Sequence, residues 1–303
     1  MADFEREIDV DNLWLNILQE TEHEAQNSPL LSAFLQRNII DHSSLEAGLC
    51  YVLAEKLADD EKDISQWQSY LYGIISLPEV TIKAEALADL LCQLRSNASI
   101  KDHYSPLLFF GGYQALQCYR FAHYCWHNDQ RAMASFIQGK CVSLFGVDIH
   151  PGAKIGSGIF LDHSVAVVIG ETAVVEDDVT IFQSVTLGGT GKGSGDRHPK
   201  VRRGAFIGSG TVVYGNIEIE QGQVKQTNFV DYPMVRMKHA PVIDTHIINS
   251  HESWGGAGEP GTPGTAPALA NAIFSATGIR IRSLPLDKYE LNLGDSKTGL
   301  QFG

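Results

Sequence analysis

The stretch from Ile149 to Leu187, IHPGAKIGSGIFLDHSVAVVIGETAVVEDDVTIFQSVTL, decides the fold of this chain. An aliphatic residue or alanine recurs at every sixth position: Ile149, Ile155, Leu161, Val167, Ala173, Val179 and Val185. A second series with the same spacing contains Ile169, Val175, Ile181 and Leu187. An α-helix repeats its apolar face about every 3.6 residues, so this period excludes a helix. A period of six is typical of a β-helix built from hexapeptides.

Each hexapeptide supplies one short strand and one turn, so three of them predict a triangular coil of about 18 residues. The aliphatic side chains point inward and stack on their equivalents in the next coil. Four glycines fall near the expected turns, where glycine adopts a positive φ at low cost: Gly152, Gly158, Gly170 and Gly188.

The segment from Gly188 to Lys200, GGTGKGSGDRHPK, interrupts the repeat. The period resumes at Val201, Ile207, Val213 and Ile219, and the spacing from Val185 to Val201 is not a multiple of six. This break predicts a loop ejected from a rigid prism, suited to covering a site or reaching a neighbour. Its glycines match neither a Walker loop nor a dinucleotide-binding motif.

The first part of the chain has a helical pattern. SSLEAGLCYVLAEKLADD carries apolar residues at helical spacing, with Asp41, Ser43 or Ser44 as the candidate cap. IKAEALADLLCQLRS shows a similar stripe. The sequence therefore predicts an α + β chain: an all-helical domain over residues 1–145, a parallel β-helix over 146–222 and an extension without the repeat over 223–303.

Composition limits the function classes. The net charge of −13 argues against binding nucleic acid through its phosphates, and no apolar run approaches the roughly 18 residues of a membrane span. The acidic N-terminus shows no signal-peptide pattern. The cysteines are scattered and odd in number (Cys50, Cys92, Cys118, Cys125 and Cys141), which indicates reduced thiols and a cytoplasmic location. His123 and His127 have the spacing of a metal pair, but packing is the preferred interpretation and we expect no metal.

Two residues suggest acid–base chemistry. Asp148 lies 15 residues before His163, which is nearly the length of one coil. The carboxylate can therefore lie beneath or beside the imidazole. A carboxylate on one ring nitrogen fixes the tautomer and lets the other nitrogen act as a general base near neutral pH. A surface histidine explains the same spacing equally well.

Together, the LDH motif at Leu161–His163, the GGTGK…GDRHPK loop and the upstream YSPLLFFGGYQALQCYRFAHYCWHNDQRAMASF segment resemble the serine O-acetyltransferase family over roughly residues 1–219. The resemblance implies acetyl transfer from acetyl-CoA to L-serine, the first step of cysteine synthesis, with acetyl-CoA as co-substrate and no tightly bound cofactor. It also implies that the β-helix is left-handed, with trimers through the prisms and hexamers through the helical domains.

The resemblance also assigns residues. His163 would be the general base, oriented by Asp148. Asp162 would contact the serine ammonium group, Arg197 and His198 would hold its carboxylate, and Glu171 would lie in the same cleft. The residues expected to border acetyl-CoA are Gly188, Gly189, Thr190 and Ser209.

The chain departs from the family pattern at several points. An Asp-Pro pair expected before YSPLL is absent, with Asn97 or Asp102 as candidate substitutes. Where the six-residue period requires an aliphatic side chain, the chain has Lys225. Residues from about 220 to 291 resemble the C-terminal end of a molybdenum hydroxylase large subunit of the isoquinoline oxidoreductase type, where Glu259 would be the base. This segment predicts a helix over about residues 267–277 that Gly278 ends. The usual peptide that docks into O-acetylserine sulfhydrylase is also absent, so we expect no such complex.

Three hypotheses follow: an active serine acetyltransferase, a catalytically impaired or purely structural trimer whose last coils are replaced, and an acetyltransferase of the same fold with another acceptor.

Overall fold

A computed structural model of the chain describes residues 10, 12–189, 195–220, 223–224, 270–275 and 277–282. The chain divides into two compact units, Met1–Met234 and Val235–Gly303. In the second unit, residues 270–275 are helical, and Gly278 adopts a φ of 74° and donates its N–H to the Phe274 carbonyl at 2.8 Å. This glycine ends the helix as the sequence predicts. Lys225 and Glu259 lie outside the described residues, so the molybdenum hydroxylase resemblance stays a prediction.

Helices make up the described chain up to residue 145. They are α1 (Leu13–Asn27), α2 (Pro29–Leu35) with a π-helical turn at Gln36–Ile40, α3 (Leu45–Leu57), α4 (Glu61–Ile75), α5 (Ile82–Ser96), α6 (Ser105–Phe109), α7 (Gly111–His127) and α8 (Arg131–Phe145).

The helix starting at Leu45 has the predicted cap. The Ser44 hydroxyl accepts the Ala47 N–H at 3.3 Å, which satisfies one of the free donors of the first turn. Apolar side chains from all these helices, such as Leu53, Leu71, Leu90 and Phe121, share one buried core.

Short strands follow from residue 147. They are β1 (Val147–Ile149), β2 (Lys154–Ile155), β3 (Phe160–Asp162), β4 (Val167–Ile169), β5 (Val174–Val175), β6 (Thr180–Phe182), β7 (Thr186–Gly188), β8 (Lys200–Val201), β9 (Phe206–Ile207), β10 (Val212–Tyr214), β11 (Glu218–Glu220) and β12 (Gln223–Val224).

The strands build three parallel sheets that form the walls of a prism. Sheet A contains β1, β4, β7 and β10, sheet B contains β2, β5, β8, β11 and β12, and sheet C contains β3, β6 and β9. From β1 to β11, successive strands therefore belong to A, B and C in turn, which is the predicted β-helix, and β12 lies in sheet B beside β11. The aliphatic residues of both six-residue series fill its interior.

The register corrects the prediction of one uninterrupted series. Ile149 pairs with Ile169, so the first coil has 20 residues. Val168 pairs with Thr186, so the second coil has 18. The residue of β4 that is equivalent to Leu161 of β3 is Ile169, eight positions later where the period requires six. The turn after β3 therefore holds two extra residues. The sequence does not reveal this shift from one six-residue series to the other, because Val167 and Ile169 are both aliphatic and both buried.

The glycine-rich segment is a corner insertion, as predicted. Val174 and Lys200 are paired neighbours in sheet B although the whole segment lies between them, so the prism resumes with its walls in register. Residues 190–194 of this segment lie outside the described residues.

The glycines correct a second expectation. Of the four that the repeat places near turns, only Gly158 has a positive φ, of 69°. Gly170 and Gly188 serve close packing instead. A Cβ on Gly188 would lie 2.5 Å from the ring of Tyr214.

The described strands change direction after β11. The last strand, β12, pairs antiparallel with β11, with Ile219 opposite Val224. The chain thus reverses direction one coil after β8 rather than continuing the prism.

A buried ion pair attaches the helices to the prism. The Arg120 guanidinium donates to the Asp89 carboxylate at 2.6 and 2.9 Å and to the Gly156 carbonyl at 2.8 Å. The other Asp89 oxygen accepts the Ile159 N–H at 2.9 Å. Both side chains are almost fully buried. Each therefore supplies the hydrogen-bond partner that the other needs away from water.

Within the described ranges, no helix combines the length and the apolar character needed to cross a membrane. The same residues contain no group of three or more His, Cys, Asp or Glu side chains placed to hold a metal ion. His123 instead bonds the Pro151 carbonyl through Nδ1 at 2.7 Å, and its ring packs against His127 with centroids 4.4 Å apart.

Candidate active site

The predicted site residues lie at two corners of the prism. The described connections from sheet A to sheet B include residues 150–153, 170–173 and 195–199, and they form what we call the loop corner. The connections from sheet C to sheet A, residues 163–166, 183–185 and 208–211, form the histidine corner.

At the loop corner, Arg197 and Glu171 form an ion pair. Arg197 Nη2 lies 2.8 Å from Glu171 Oε2, and both side chains are partly exposed. The hydrogen bond from Arg197 lowers the pKa of Glu171 below its ordinary value. The guanidinium has further N–H groups, so it can bind a second carboxylate beside that of Glu171.

His198 lies beside this pair and is only 6% exposed. Its Nδ1 accepts the Thr172 backbone N–H at 3.2 Å and lies 2.8 Å from Thr172 Oγ1. Burial lowers the pKa of His198, and the positive charge of Arg197 lowers it further. The ring is therefore neutral near pH 7.

Two glycines make room for the His198 ring. A Cβ built on Gly170 would lie 2.0 Å from its Nε2, and one on Gly189 would lie 3.0 Å away. Any larger residue at Gly170 would displace the imidazole, so this glycine is required by close approach and not by its φ.

His150 belongs to the same corner and was not predicted from the sequence. Its Nδ1 accepts the Gly152 N–H at 2.9 Å, and its ring packs edge-on against Trp126 with centroids 4.9 Å apart. Burial lowers the pKa of His150, while the nearby carboxylates of Glu171 and Asp148 favour its protonation. The sequence offered one signal for His150: this residue lies in the IHPG turn, about one coil before Glu171.

At the histidine corner, the turn after β3 presents His163 to solvent. The side chain is 76% exposed, and Nε2 lies 3.7 Å from Asp162 Oδ1. His163, Ser164 and Ala166 have φ values of 55°, 32° and 62°. Positive φ is costly for residues with a Cβ, and three such residues in one turn indicate local backbone strain of the kind found at functional sites.

Asp148 has a different partner from the one expected. Its Oδ1 accepts Gln138 Nε2 from α8 at 2.7 Å. In the part of the chain that the structure describes, no hydrogen bond joins Asp148 to His163. The orienting role of Asp148 therefore stays a prediction.

The candidate substitutes for the Asp-Pro pair are both used locally. Asn97 Oδ1 accepts the N–H and the hydroxyl of Ser99, and the Asp102 carboxylate accepts both groups of Ser105. Neither carboxamide nor carboxylate is therefore held free for a ligand.

Of the residues expected to border acetyl-CoA, Gly188 ends β7, Gly189 follows it at the loop corner and Ser209 is exposed at the histidine corner. Thr190 lies outside the described residues.

The two corners are separated within one chain. His163 precedes β4 and Glu171 follows it, and the three residues of that strand alone span about 7 Å. The structure thus assembles Glu171, Arg197 and His198 into one group and places Asp162 and His163 at the other end of sheet A.

Comparisons with known proteins agree with these features. The sequence profile described as "Serine acetyltransferase, N-terminal" matches residues 13–118. The serine acetyltransferase of Salmonella typhimurium is 45% identical over 219 residues, which cover 69% of this chain and 77% of that protein.

Two solved structures are similar to this one. Soybean serine acetyltransferase complexed with serine aligns with a TM-score of 0.66 at 37% identity, over 71% of this chain and 89% of the other. A serine acetyltransferase in complex with CoA aligns with a TM-score of 0.65 at 38% identity, over 70% and 88%. With helices, prism, ejected loop and these relatives in agreement, the chain belongs to the serine acetyltransferase family.

Proposed function

We propose that the protein transfers the acetyl group of acetyl-CoA to the hydroxyl of L-serine and forms O-acetylserine. The observation that carries this proposal is the loop corner, where the inserted loop brings Arg197 and His198 onto Glu171. A guanidinium with free donors and a neutral imidazole suit a carboxylate, and Glu171 suits an ammonium group, so the corner matches both charges of an amino acid. Relatives complexed with serine and with CoA support the same substrates.

In this proposal His163 is the general base. It takes the proton from the serine hydroxyl as the oxygen attacks the thioester carbonyl, and a tetrahedral intermediate forms. The intermediate expels the CoA thiolate, which receives the proton back from His163. The Asp162 carboxylate lies 3.7 Å from Nε2, on the ring that carries the proton in between. Asp162 also contacts the serine ammonium group, and Asp148 orients the ring.

The co-substrate would run along the wall between the two corners. Gly188, Gly189, Thr190 and Ser209 border acetyl-CoA in this proposal. Gly188 packs against the Tyr214 ring of the paired strand β10.

A second copy of the chain would complete the site. His163 and the loop corner lie at opposite ends of sheet A, so two prisms side by side can bring one corner of each together. The outer face of sheet A supports this arrangement because it exposes Val168, Val212 and Tyr214 to solvent. We therefore propose a homotrimer through the prisms and a dimer of trimers through the helices.

The free thiols support a reducing, cytoplasmic location. All five cysteines are unpaired, and four of them are buried.

The reversal at β12 favours a second candidate. With β12 antiparallel to β11, the described strands offer fewer parallel coils to border a long co-substrate, which favours a structural trimer with impaired catalysis. Release of CoA thiol from acetyl-CoA, measured with serine, threonine or an amino sugar as acceptor, separates the candidates. Turnover with serine supports the proposal. Turnover only with another acceptor reassigns the substrate, and no turnover with any acceptor favours the structural candidate.

His163→Ala tests the mechanism. Positioned general bases contribute about 10²–10⁴ in rate, so kcat should fall by that factor. His42→Ala, which removes an imidazole on the helical part, is the matched control and should keep the normal kcat. If His163→Ala keeps near-normal kcat and only melts earlier, His163 has no role in proton transfer.

A further inference from the structure

Thr172 makes contacts that no role described above explains. Its hydroxyl lies between two residues of the inserted loop: it accepts the Arg197 backbone N–H at 3.0 Å and lies 2.8 Å from His198 Nδ1. Its own backbone N–H donates to the same Nδ1 at 3.2 Å. One threonine on the turn that leaves β4 thus touches both proposed carboxylate ligands of the substrate.

The directions of these hydrogen bonds follow from the donors. A backbone N–H can only donate, so the Nδ1 that receives the Thr172 N–H carries no proton. The Thr172 hydroxyl accepts from Arg197 and has a single proton, which we assign to Nδ1 at 2.8 Å and not to the Asp196 carboxylate that also contacts it. The bonds then run one way, from the Arg197 N–H through the hydroxyl to the ring, and chains with one polarity strengthen each bond.

The neutral His198 ring must then carry its proton on Nε2. The Nε2 edge faces Gly170 and Gly189, which have no side chains to cover it. Among the residues that the structure describes, none hydrogen bonds to Nε2. The ring is thus held with a donor directed away from Thr172 and toward Gly170 and Gly189.

We infer that Thr172 is a positioning residue that fixes His198 as the Nε2–H tautomer, so that this N–H donates to the carboxylate of the amino-acid substrate. The inference rests on the proposed function for the identity of the ligand, but the tautomer itself does not depend on any ligand. With the hydroxyl replaced by a methyl group, the backbone N–H alone would hold Nδ1, at the longer distance of 3.2 Å. The other charged and titratable groups around His198 are Arg197, Glu171, Lys200 and His150.

Three variants separate this role from a structural one. Thr172→Val removes the hydroxyl at nearly constant volume, Thr172→Ser keeps it, and Thr180→Val makes the same change at a half-buried strand threonine of sheet C. The Thr180 hydroxyl makes no side-chain hydrogen bond among the described residues. Melting temperatures show whether each variant folds.

The first readout is the histidine tautomer. Nitrogen-15 spectra of protein labelled at histidine, with the His198 signal assigned by its loss in His198→Asn, distinguish a protonated Nε2 from a protonated Nδ1. We expect His198 to be almost entirely Nε2–H in the wild type and in Thr172→Ser, and a mixture of both forms in Thr172→Val. A single Nε2–H form in Thr172→Val would overturn the inference, because the hydroxyl would then be unnecessary for the tautomer.

The second readout is kinetic. Losing one hydrogen bond to a charged ligand costs about tenfold in affinity. We therefore expect Thr172→Val to raise the KM for serine about tenfold, with kcat and the KM for acetyl-CoA nearly unchanged, and Thr172→Ser and Thr180→Val to keep the wild-type values. An unchanged serine KM beside a changed tautomer would remove His198 from carboxylate binding and overturn the second half of the inference. If the wild type transfers no acetyl group at all, the proposed function fails, while the nitrogen-15 spectra still decide the tautomer.

Discussion

Three histidines share one electrostatic property at the scale of single residues. Burial lowers the pKa of His123, His150 and His198 below the ordinary value of 6.5. In the folded protein these rings are neutral at a pH where the unfolded chain already binds protons. Their contribution to stability is therefore complete above pH 6.5 and decreases as the pH falls from 6.5 toward the folded-state pKa values.

This linkage predicts a lower melting temperature at pH 5.5 than at pH 7.5. His123→Asn should reduce that difference, because one ring that resists protonation is removed. Calorimetry at the two pH values measures it, and His23→Asn on the exposed face of α1 provides the matched control. A melting temperature that is higher at pH 5.5 would contradict the sign of all three shifts.

At the scale of the element, the inserted loop has a fixed base. Lys200, the first residue of β8, directs its ammonium group to the Thr172 and His198 carbonyls at 2.8 Å each and to the Asp196 carboxylate. Its side chain is only 16% exposed. Three donors meet three acceptors, so the returning arm of the loop is attached to the coil below it.

Lys200→Met should release this arm. Because the methionine keeps the apolar stem and removes all three donors, hydrogen exchange should accelerate at residues 195–199, and the KM for serine should rise by about tenfold or more. Lys154→Met, an exposed lysine of the same sheet, is the control and should change neither quantity. Normal exchange at residues 195–199 in Lys200→Met would show that the ammonium group does not hold the loop.

The elements also show where sequence reasoning succeeds and where it stops. The six-residue period predicted the prism because burial of each aliphatic residue depends only on its place in the coil. The shift of two residues after Leu161 was concealed, since both possible wall residues, Val167 and Ile169, are aliphatic. Thr172 and Lys200 were missed because their partners lie at the far end of an insertion, and spacing in the sequence carries no information about where such a loop returns.

His163 and Asp148 show a similar limit. Their separation of nearly one coil indicated adjacent positions, yet the two extra residues of the turn and the hydrogen bond from Gln138 determine where each side chain points. By contrast, Arg197, His198 and Glu171, which the resemblance of the loop motif to a known family assigns to one cleft, lie near one another at the loop corner, and their roles toward serine stay predictions.

At the scale of the whole helical and prism unit, Asp89 and Arg120 determine how the two parts are joined. Asp89 on α5 accepts hydrogen bonds from Gln117 and Arg120 on α7 and from the Ile159 N–H before β3. The sequence offered a signal here, because an aspartate on the leucine-rich face of α5 requires a buried partner.

Asp89→Ala should destabilise the protein by about 3–5 kcal/mol, because it leaves the buried Arg120 charge without its partner. Urea unfolding measures the loss. Asp178→Ala breaks an exposed pair with Arg203 and should cost about 1 kcal/mol or less. The double variant Asp89→Leu with Arg120→Met removes both charges and should recover much of the stability. Equal losses in Asp89→Ala and Asp178→Ala would contradict a buried junction.

The two lengthened corners of the prism have a consequence for how such a protein can change over time. The walls require a fixed number of residues per face, whereas a corner accepts two additional residues before β4 and a much longer insertion before β8 without disturbing any later pairing. A gene that encodes this prism can therefore gain or lose codons at a corner at little cost, while one codon added within a strand would turn every following aliphatic side chain outward. The segments that carry chemistry can thus vary in length and composition independently of the segments that carry stability, which leaves new specificities within reach of a few insertions.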